Sequence, residues 1–523
     1  MLDTAASEPT TSPKQAPAWR PAVVLGAALT LLYGVLLLCD LSVPQPTDHT
    51  HYMDAARTFP STPKSPLIVH QYLRIGLTGP TALMMKVFGY SELTYHALPV
   101  VSGLLLFASV YAIGCMLFGR VVGVLSAVVL GFMGIIVVAG TELLPDLPAT
   151  AMFTAAVALT IALREGLLTR RRRLWLVVIG LLLGWSYLTR EFIVFVWPLI
   201  PILLWRRIGR WEWLWGLVPL ALTGLGEMAL NIHLYGDPLK RLHAGSELGD
   251  LPSRPAVAHS FRDLPLHVYL ERLPQQLLRM PEGYGLVLLI TLTLAAGVFV
   301  IVRRVRRTAT DLERRVGVFA LWFALLWVPL TLAGGVLDPS HPRLRLQLVR
   351  YWYPLFPAFV IGGVAVLWLA VRGLRPPDRR RAIAATAVVS CVALVTAGLG
   401  TFGRPGKAGW AGSPRVSSDA LPEFRSWLAR SDAKTVWVDA RLFHVIPIYV
   451  LSSTGRRVWR GHIRPMSNIA QAPAGDYVVA YSEGSDACPR CGEAARALLP
   501  AVPPTWRPVM TSHDHLLHVW QVG

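Results

Sequence analysis

The stretch Ala97–Phe118, ALPVVSGLLLFASVYAIGCMLF, followed at once by Gly119-Arg120, decides the fold class. It carries no charged side chain and is long enough to cross hydrocarbon as a helix, which takes about 20 residues. Similar blocks stand on either side of it, at Ala22–Leu41, Val121–Gly140, Pro148–Leu163, Leu174–Tyr187 and Phe192–Trp205. Others follow at Trp213–Leu234, Gly285–Val302, Val316–Leu337, Tyr351–Val371 and Ala382–Phe402, about eleven in all. Thr189-Arg190-Glu191 divides two of them, because three polar residues in mid-block are costly in lipid. The chain is 53% hydrophobic and 15% charged, against roughly 25% charged residues in ordinary soluble proteins. It therefore reads as an all-α polytopic membrane protein of about 11 transmembrane helices, with a small α/β domain outside the membrane at its C-terminus.

The net charge of +19 does not point to nucleic acid. The arginines cluster between apolar blocks, at Arg120, Arg164–Arg173, Arg206–Arg210, Arg303–Arg315 and Arg372–Arg381, on alternate loops. That pattern obeys the positive-inside rule. It makes Met1–Arg20, rich in Pro, Ser and Thr, a disordered cytoplasmic segment, and residues 21–402 the membrane domain. The first block is too long for a signal h-region and lacks a cleavage site, so it is a retained anchor. Residues 42–96 then form a first external loop, whose amphipathic stretch Tyr72–Phe88 lies along the interface. Residues 403–523 form an external domain: helices at Ser417–Arg430 and Cys488–Leu499, strands at Thr435–Asp439, Asp476–Ser482 and His515–Val522. The expected location is the plasma (inner) membrane, N-terminus in the cytoplasm and C-terminal domain outside.

Five cysteines are too few for a disulfide scaffold. Cys39, Cys115 and Cys391 fall in apolar blocks; Cys488 and Cys491 form a CxxC. Zinc would need four ligands, with His513 and His515 as the remaining pair, and a local disulfide or two plain thiols is preferred.

Polar residues gather on the loops opposite the arginine-rich ones. Asp48-His49-Thr50-His51-Tyr52 opens the first loop; Thr141-Glu142-Leu143-Leu144-Pro145-Asp146-Leu147-Pro148 makes a rigid turn. Asp146 there also suits a helix N-cap, with Pro148 in the first turn. Cations on that face include Lys64, Arg190, Arg343, Arg345 and Arg350, with Tyr351-Trp352-Tyr353-Pro354 after the last. For Arg190 the bland alternative is an ion pair with its neighbour Glu191; for Arg350 it is a headgroup-level belt with Tyr351.

In this order the motifs resemble the GT-C glycosyltransferases, in their protein-mannosyltransferase and aminoarabinose-transferase branch, over roughly residues 20–375. The matching elements are Asp48 with Tyr52, Lys64-Ser65-Pro66-Leu67, Gly89–Glu92, Pro145–Pro148, Thr189-Arg190-Glu191, Tyr235–Pro238 and Arg350-Tyr351 with Pro354 and Pro357. His49 stands where the family has Glu, His51 where the aminoarabinose branch tends to have Arg, and His96 where Arg is common. The resemblance implies a hexosyl or pentosyl transferase that moves a sugar from a polyprenyl-phosphate donor to a glycan, lipid or protein hydroxyl, with inversion. Asp48 would be the general base and Asp146 the second catalytic carboxylate. Lys64, Arg190, Arg350 and Tyr351 would bind the donor phosphate, supported by His49, His51, Tyr52, Glu92 and Glu142. A divalent metal is compatible with the resemblance, no ligand set for it can be named, and no other cofactor is implied. Readings from other classes are a lipid-linked-sugar flippase or transporter and a non-catalytic envelope scaffold. Transporters show internal repeats and helices broken near mid-membrane; no repeat stands out here, and the polar motifs collect on one face.

The alternating arginines make a topological prediction. Reporter fusions after Arg173 and after Gly523 should report opposite sides of the membrane. The same side for both would overturn the span count.

Overall fold

In the computed structural model of the chain, residues 20–39, 48–63, 69–247, 270–333, 349–373, 420–439, 454–481, 498–513 and 517–523 are described, with a few positions between them. Outside them lie Met1–Trp19, Lys64, Arg343, Arg345, most of Ala382–Phe402, and Cys488 and Cys491 with nearly all of the helix expected there.

The membrane domain opens with α1 (Arg20–Cys39), α2 (Asp48–Arg57), α3 (Val69–Tyr72), α4 (Ile75–Phe88), α5 (Glu92–Phe118), α6 (Arg120–Gly131) and α7 (Gly134–Ala139). It continues through α8 (Asp146–Arg164), α9 (Arg172–Thr189), α10 (Leu199–Leu204), α11 (Leu214–Tyr235) and α12 (Lys240–Glu247). It ends with α13 (Arg272–Leu278), α14 (Gly283–Val305), α15 (Asp311–Ala333) and α16 (Phe356–Gly373). Two 3₁₀ turns, Glu191–Val196 and Val349–Leu355, lead into α10 and α16. Every expected span up to Tyr351–Val371 is mainly helical over its described residues. Among the described residues seven helices are long and apolar enough to cross a membrane by themselves, from Pro21–Cys39 to Val349–Ala370. The chain is an integral, multi-pass membrane protein.

Two expected spans are broken, each for a physical reason. Val121–Gly140 becomes α6 and α7, and the fresh start at Gly134 is capped from afar: its N–H donates to the buried Glu282 carboxylate at 3.1 Å. Phe192–Trp205 becomes a 3₁₀ turn and α10, because α9 stops at Thr189 and Arg190 is extended (φ −149°, ψ 120°).

Large rings fill the centre of the bundle: Phe153, Phe319, Trp322, Phe323, Trp352 and Phe359. Helix α11 is the reverse of a soluble helix. Its apolar residues face outward, and its two buried residues are Glu227 and Asn231. The loops sort into two ends. At one, Arg315 pairs with Glu165 at 2.9 Å and donates to the Leu117 carbonyl. At the other stand α2, α4, the starts of α5 and α8, and the end of α9.

The first loop is more enclosed than helices lying on a membrane surface. Helix α2 buries His49 through Met53, Ala55 and Ala56. Helix α4 packs Leu77, Thr78, Thr81 and Ala82 inward and leaves Leu83, Val87 and Phe88 exposed. It crosses the end of α9 closely at Gly76. There Trp185 Nε1 donates to the Gly76 carbonyl at 2.8 Å, and a Cβ on Gly76 would lie 2.7 Å from the Thr189 nitrogen.

The C-terminal domain is a five-stranded mixed sheet, ordered β2-β1-β3-β5-β4. The strands are β1 (Thr435–Asp439), β2 (His462–Met466), β3 (Tyr477–Tyr481), β4 (Arg507–Thr511) and β5 (Leu517–Gln521). Neighbours β1 and β2, and β1 and β3, run parallel; β3, β5 and β4 are antiparallel. The two-residue period of a strand gives the sheet two apolar faces. Val436, Val438, Val479 and Val519 meet helix α17 (Ala420–Arg430) through Phe424 and Leu428. Val478, Ala480 and Trp520 lie on the other face. The first face is continuous with Tyr52, Met53, Leu77, Tyr95 and Leu98, so the domain is seated on the first loop.

The close crossing at Gly76 is testable. Gly76→Val should cost about 1–3 kcal/mol through overpacking, measured as thermal unfolding of the detergent-purified protein. Gly79→Ala should be nearly silent, since the nearest atom to its Cβ would be 3.8 Å away.

Candidate active site

Helix α2 begins at Asp48, where the macrodipole favours a carboxylate. The 3₁₀ turn before α16 brings Arg350 to it: Nη2 donates to Asp48 Oδ2 at 3.3 Å. Gln71 of α3 donates from Nε2 to the other oxygen at 3.1 Å. The Asp48 side chain keeps 35% exposure and that of Arg350 25%, so this pair faces open space. Burial alone would raise the Asp48 carboxyl. Arg350 first, then His70, His51 and His49, outweigh that and hold it below the usual carboxylate range.

Behind this pair is a second, closed one. Asp146 sets Oδ1 at 3.0 Å from Arg190 Nε and Oδ2 at 3.8 Å from Arg350 Nε, and its side chain is only 2% exposed. Arg190 lies over the rings of Tyr351 (4.4 Å) and Phe192 (4.8 Å); Arg350 also stands over Tyr351, at 5.5 Å. One chain of charge therefore runs Asp48–Arg350–Asp146–Arg190. It joins α2, the Val349–Leu355 turn, the start of α8 and the end of α9.

Two local expectations are corrected here. Asp146 is not the N-cap of α8: Pro145 holds that place, and Asp146 is the first helical residue, with its carboxylate on the arginines. Arg190 does not pair with Glu191. Helix α9 ends at Thr189, Arg190 is extended, and its guanidinium group is ion-paired with Asp146.

Glu191 enters a third group instead. Its oxygens lie 3.8 Å from Arg74 Nη2 and 3.3 Å from Arg241 Nη2. Arg241 also reaches Glu227 at 2.9 Å, donates to the Tyr187 carbonyl at 2.6 Å and covers the Tyr187 ring at 4.8 Å. It comes from α12, folded back after Gly236, whose φ of +70° suits glycine. Gln71, Arg74, Glu227 and Arg241 carry no sequence motif, yet all stand at the site. The signal available was Glu227, a carboxylate inside an apolar span.

The supporting residues divide. Tyr52 is buried among Arg74, Asp48, Arg190 and Asp146, and burial pushes its hydroxyl up. His51 is buried beside Asp48. His49 turns away: its Nδ1 lies 2.7 Å from the Tyr95 hydroxyl, and burial lowers its pKa to about 4 against the pull of Asp48. Glu142 is near Tyr353. Glu92 pairs with Arg425 of the C-terminal domain at 2.5 Å. Lys64 is outside the described residues. Among those residues no three His, Cys, Asp or Glu side chains gather as metal ligands. Asp48 and Asp146 both face guanidinium groups, which suits charge pairing and not a divalent ion.

The closed pair sets an energetic expectation. Asp146→Leu leaves Arg190 buried without its partner, which costs about 3–5 kcal/mol. The double variant Asp146→Leu/Arg190→Met should recover most of it. Thermal unfolding of wild type, both singles and the double measures the coupling; additive losses would deny the pair its role.

Residues 80–227 match the model of a family described as dolichyl-phosphate-mannose-protein mannosyltransferase. Sequence comparison with curated proteins gave no match. Among solved structures the chain superimposes on ArnT from Cupriavidus metallidurans, in its apo state and bound to undecaprenyl phosphate. Each superposition has a TM-score of 0.52 and 14% identity, over 95% of this chain and 97% of that one. Whole-chain superposition gives the chain a GT-C-like fold, and the matched central stretch agrees with the resemblance carried by the motifs.

Proposed function

We propose that the protein transfers a sugar from a polyprenyl-phosphate carrier to an acceptor hydroxyl, on the extracytoplasmic face, with inversion at the anomeric carbon. The observation that carries this is the open Asp48–Arg350 pair, backed by the closed Asp146–Arg190 pair, at one end of a GT-C bundle. The alternation of the arginines supports an extracytoplasmic position for that end.

The chemistry follows from these groups. An acceptor hydroxyl attacks C1 poorly unless a base takes its proton as the bond forms. Asp48 is the carboxylate an acceptor can reach; Asp146 is closed off and bound to two guanidinium groups. As the new C1–O bond forms, the bond from C1 to the phosphate oxygen breaks. The hydroxyl proton passes to Asp48, and the electron pair leaves with the polyprenyl phosphate. That leaving group needs neutralisation more than protonation, and Arg350 offers it at the open side. Asp146, shared between Arg350 and Arg190, fixes the guanidinium group in place. The solved relative with undecaprenyl phosphate bound supports a lipid phosphate as the carrier.

The test is transfer in vitro from a synthetic polyprenyl-phosphate sugar by the purified full chain. Asp48→Asn keeps size and hydrogen bonding but removes the base. Turnover should fall about 10²–10⁴-fold, with thermal stability unchanged. Transfer at near wild-type rate would remove Asp48 from the mechanism. Movement of the lipid-linked sugar across a bilayer with no transfer would establish a transporter instead.

A further inference from the structure

Among the described residues, four guanidinium groups stand at the site and each already faces a carboxylate: Arg74 with Glu191, Arg190 with Asp146, Arg241 with Glu191 and Glu227, Arg350 with Asp48 and Asp146. An anion that enters must therefore compete with a carboxylate for any of them. The contest is uneven. The groups at Arg190 and Arg241 are closed, with their side chains nearly inaccessible. Asp48 and Arg350 are the partly open pair, and theirs is a single 3.3 Å hydrogen bond.

The two members of that pair are held unequally. Without Asp48, Arg350 still faces the Asp146 carboxylate, 3.8 Å from its Nε, and still lies over the Tyr351 ring. Asp48 is the first residue of α2, and its other described hydrogen bond is from neutral Gln71. The partner that can leave is the carboxylate.

We propose that Asp48 and the phosphate of the lipid carrier exchange on Arg350, so that the carboxylate locks the anion site while it is empty and becomes the working base only after a phosphate has displaced it. This rests on the transfer reading above and adds to it the order of events: phosphate first, base second. The charged and titratable groups facing Asp48 are Arg350 from the 3₁₀ turn, His70 from α3, and His49 and His51 from its own helix. Among them Arg350 is the strongest influence holding the carboxyl down. With a phosphate on Arg350 that influence is neutralised, burial then raises the carboxyl, and proton acceptance from a hydroxyl becomes easier. The exchange also has a use. A carboxylate that is a poor base until the donor phosphate is seated does not activate water or an acceptor prematurely.

The inference adds to plain charge repulsion between Asp48 and an anion the requirement that the two compete for Arg350. Removing Asp48 should improve binding of the lipid phosphate. The probe is undecaprenyl phosphate, which carries the anion and no sugar, titrated into the purified full chain in detergent. Asp48→Asn should bind it about five- to tenfold tighter than wild type, the scale of one partly open charged hydrogen bond. Gln71→Leu, which frees Asp48 without changing any charge, should shift affinity the same way by less. In an Arg350→Gln background the effect of Asp48→Asn should vanish. Equal or weaker binding by Asp48→Asn would overturn the exchange and leave the transfer reading standing. No binding by wild type or any variant would overturn both. If Arg350→Gln fails to fold, the wild type, Asp48→Asn and Gln71→Leu series still decides.

Discussion

Asp146 and Arg190 face each other at 3.0 Å in a place almost closed to water, between the start of one membrane helix and the end of the next. Taking both charges out of water is costly, and their attraction repays it only when geometry is good and neighbours complete the environment. The chain meets those terms locally. Pro145 and Pro148 flank Asp146 and fix the helix start; α9 stops a residue short of Arg190, which extends and lays its guanidinium group on two aromatic rings. The break between α9 and α10, which shortens a membrane span, is the structural consequence. It also turns Glu191 the other way, into the group with Arg74 and Arg241.

Much of this was legible in the sequence, because hydropathy reports spans directly and a membrane leaves few other ways to satisfy a backbone. The helix order, the break at Thr189–Glu191 and the gathering of Asp48, Asp146, Arg190, Arg350 and Tyr351 on one face could be read from blocks and loops. The pairing among them could not. Sequence neighbours suggested Arg190 with Glu191, whereas a change of backbone direction between the two separates them. Arg74 lies in a stretch that reads only as an interfacial helix and Arg241 in a loop segment without pattern, and only the fold says that α12 returns to the bundle.

The C-terminal sheet shows the same limit. Strands β1, β3 and β5 are interior, carry buried apolar residues and were visible. The two that were not, β2 and β4, are the edges of the sheet, and each contains a proline, Pro465 and Pro508. Edge strands tolerate proline and exposed charge because one side of the ladder is unpaired, which erases the alternation that marks a strand. The sheet nonetheless bears on the site. Its apolar face covers Tyr52 and Met53 of α2, and Arg425 holds Glu92 at the start of α5.

Bracing of that kind has a consequence for how α2 can work. From Tyr52 onward the helix is held between bundle and sheet, so it cannot tilt or slide to present Asp48 to different partners. Movement is left to its first residue. A carboxylate on the first residue of a clamped helix has a small choice of positions, set by Arg350, Gln71 and whatever enters from the open side. Asp146 has no such choice, because prolines and two guanidinium groups fix it. The two carboxylates are chemically alike and stand on the same arginine, yet one is a fixed part of the wall and the other is a movable group. That difference comes from packing around them, not from residue type.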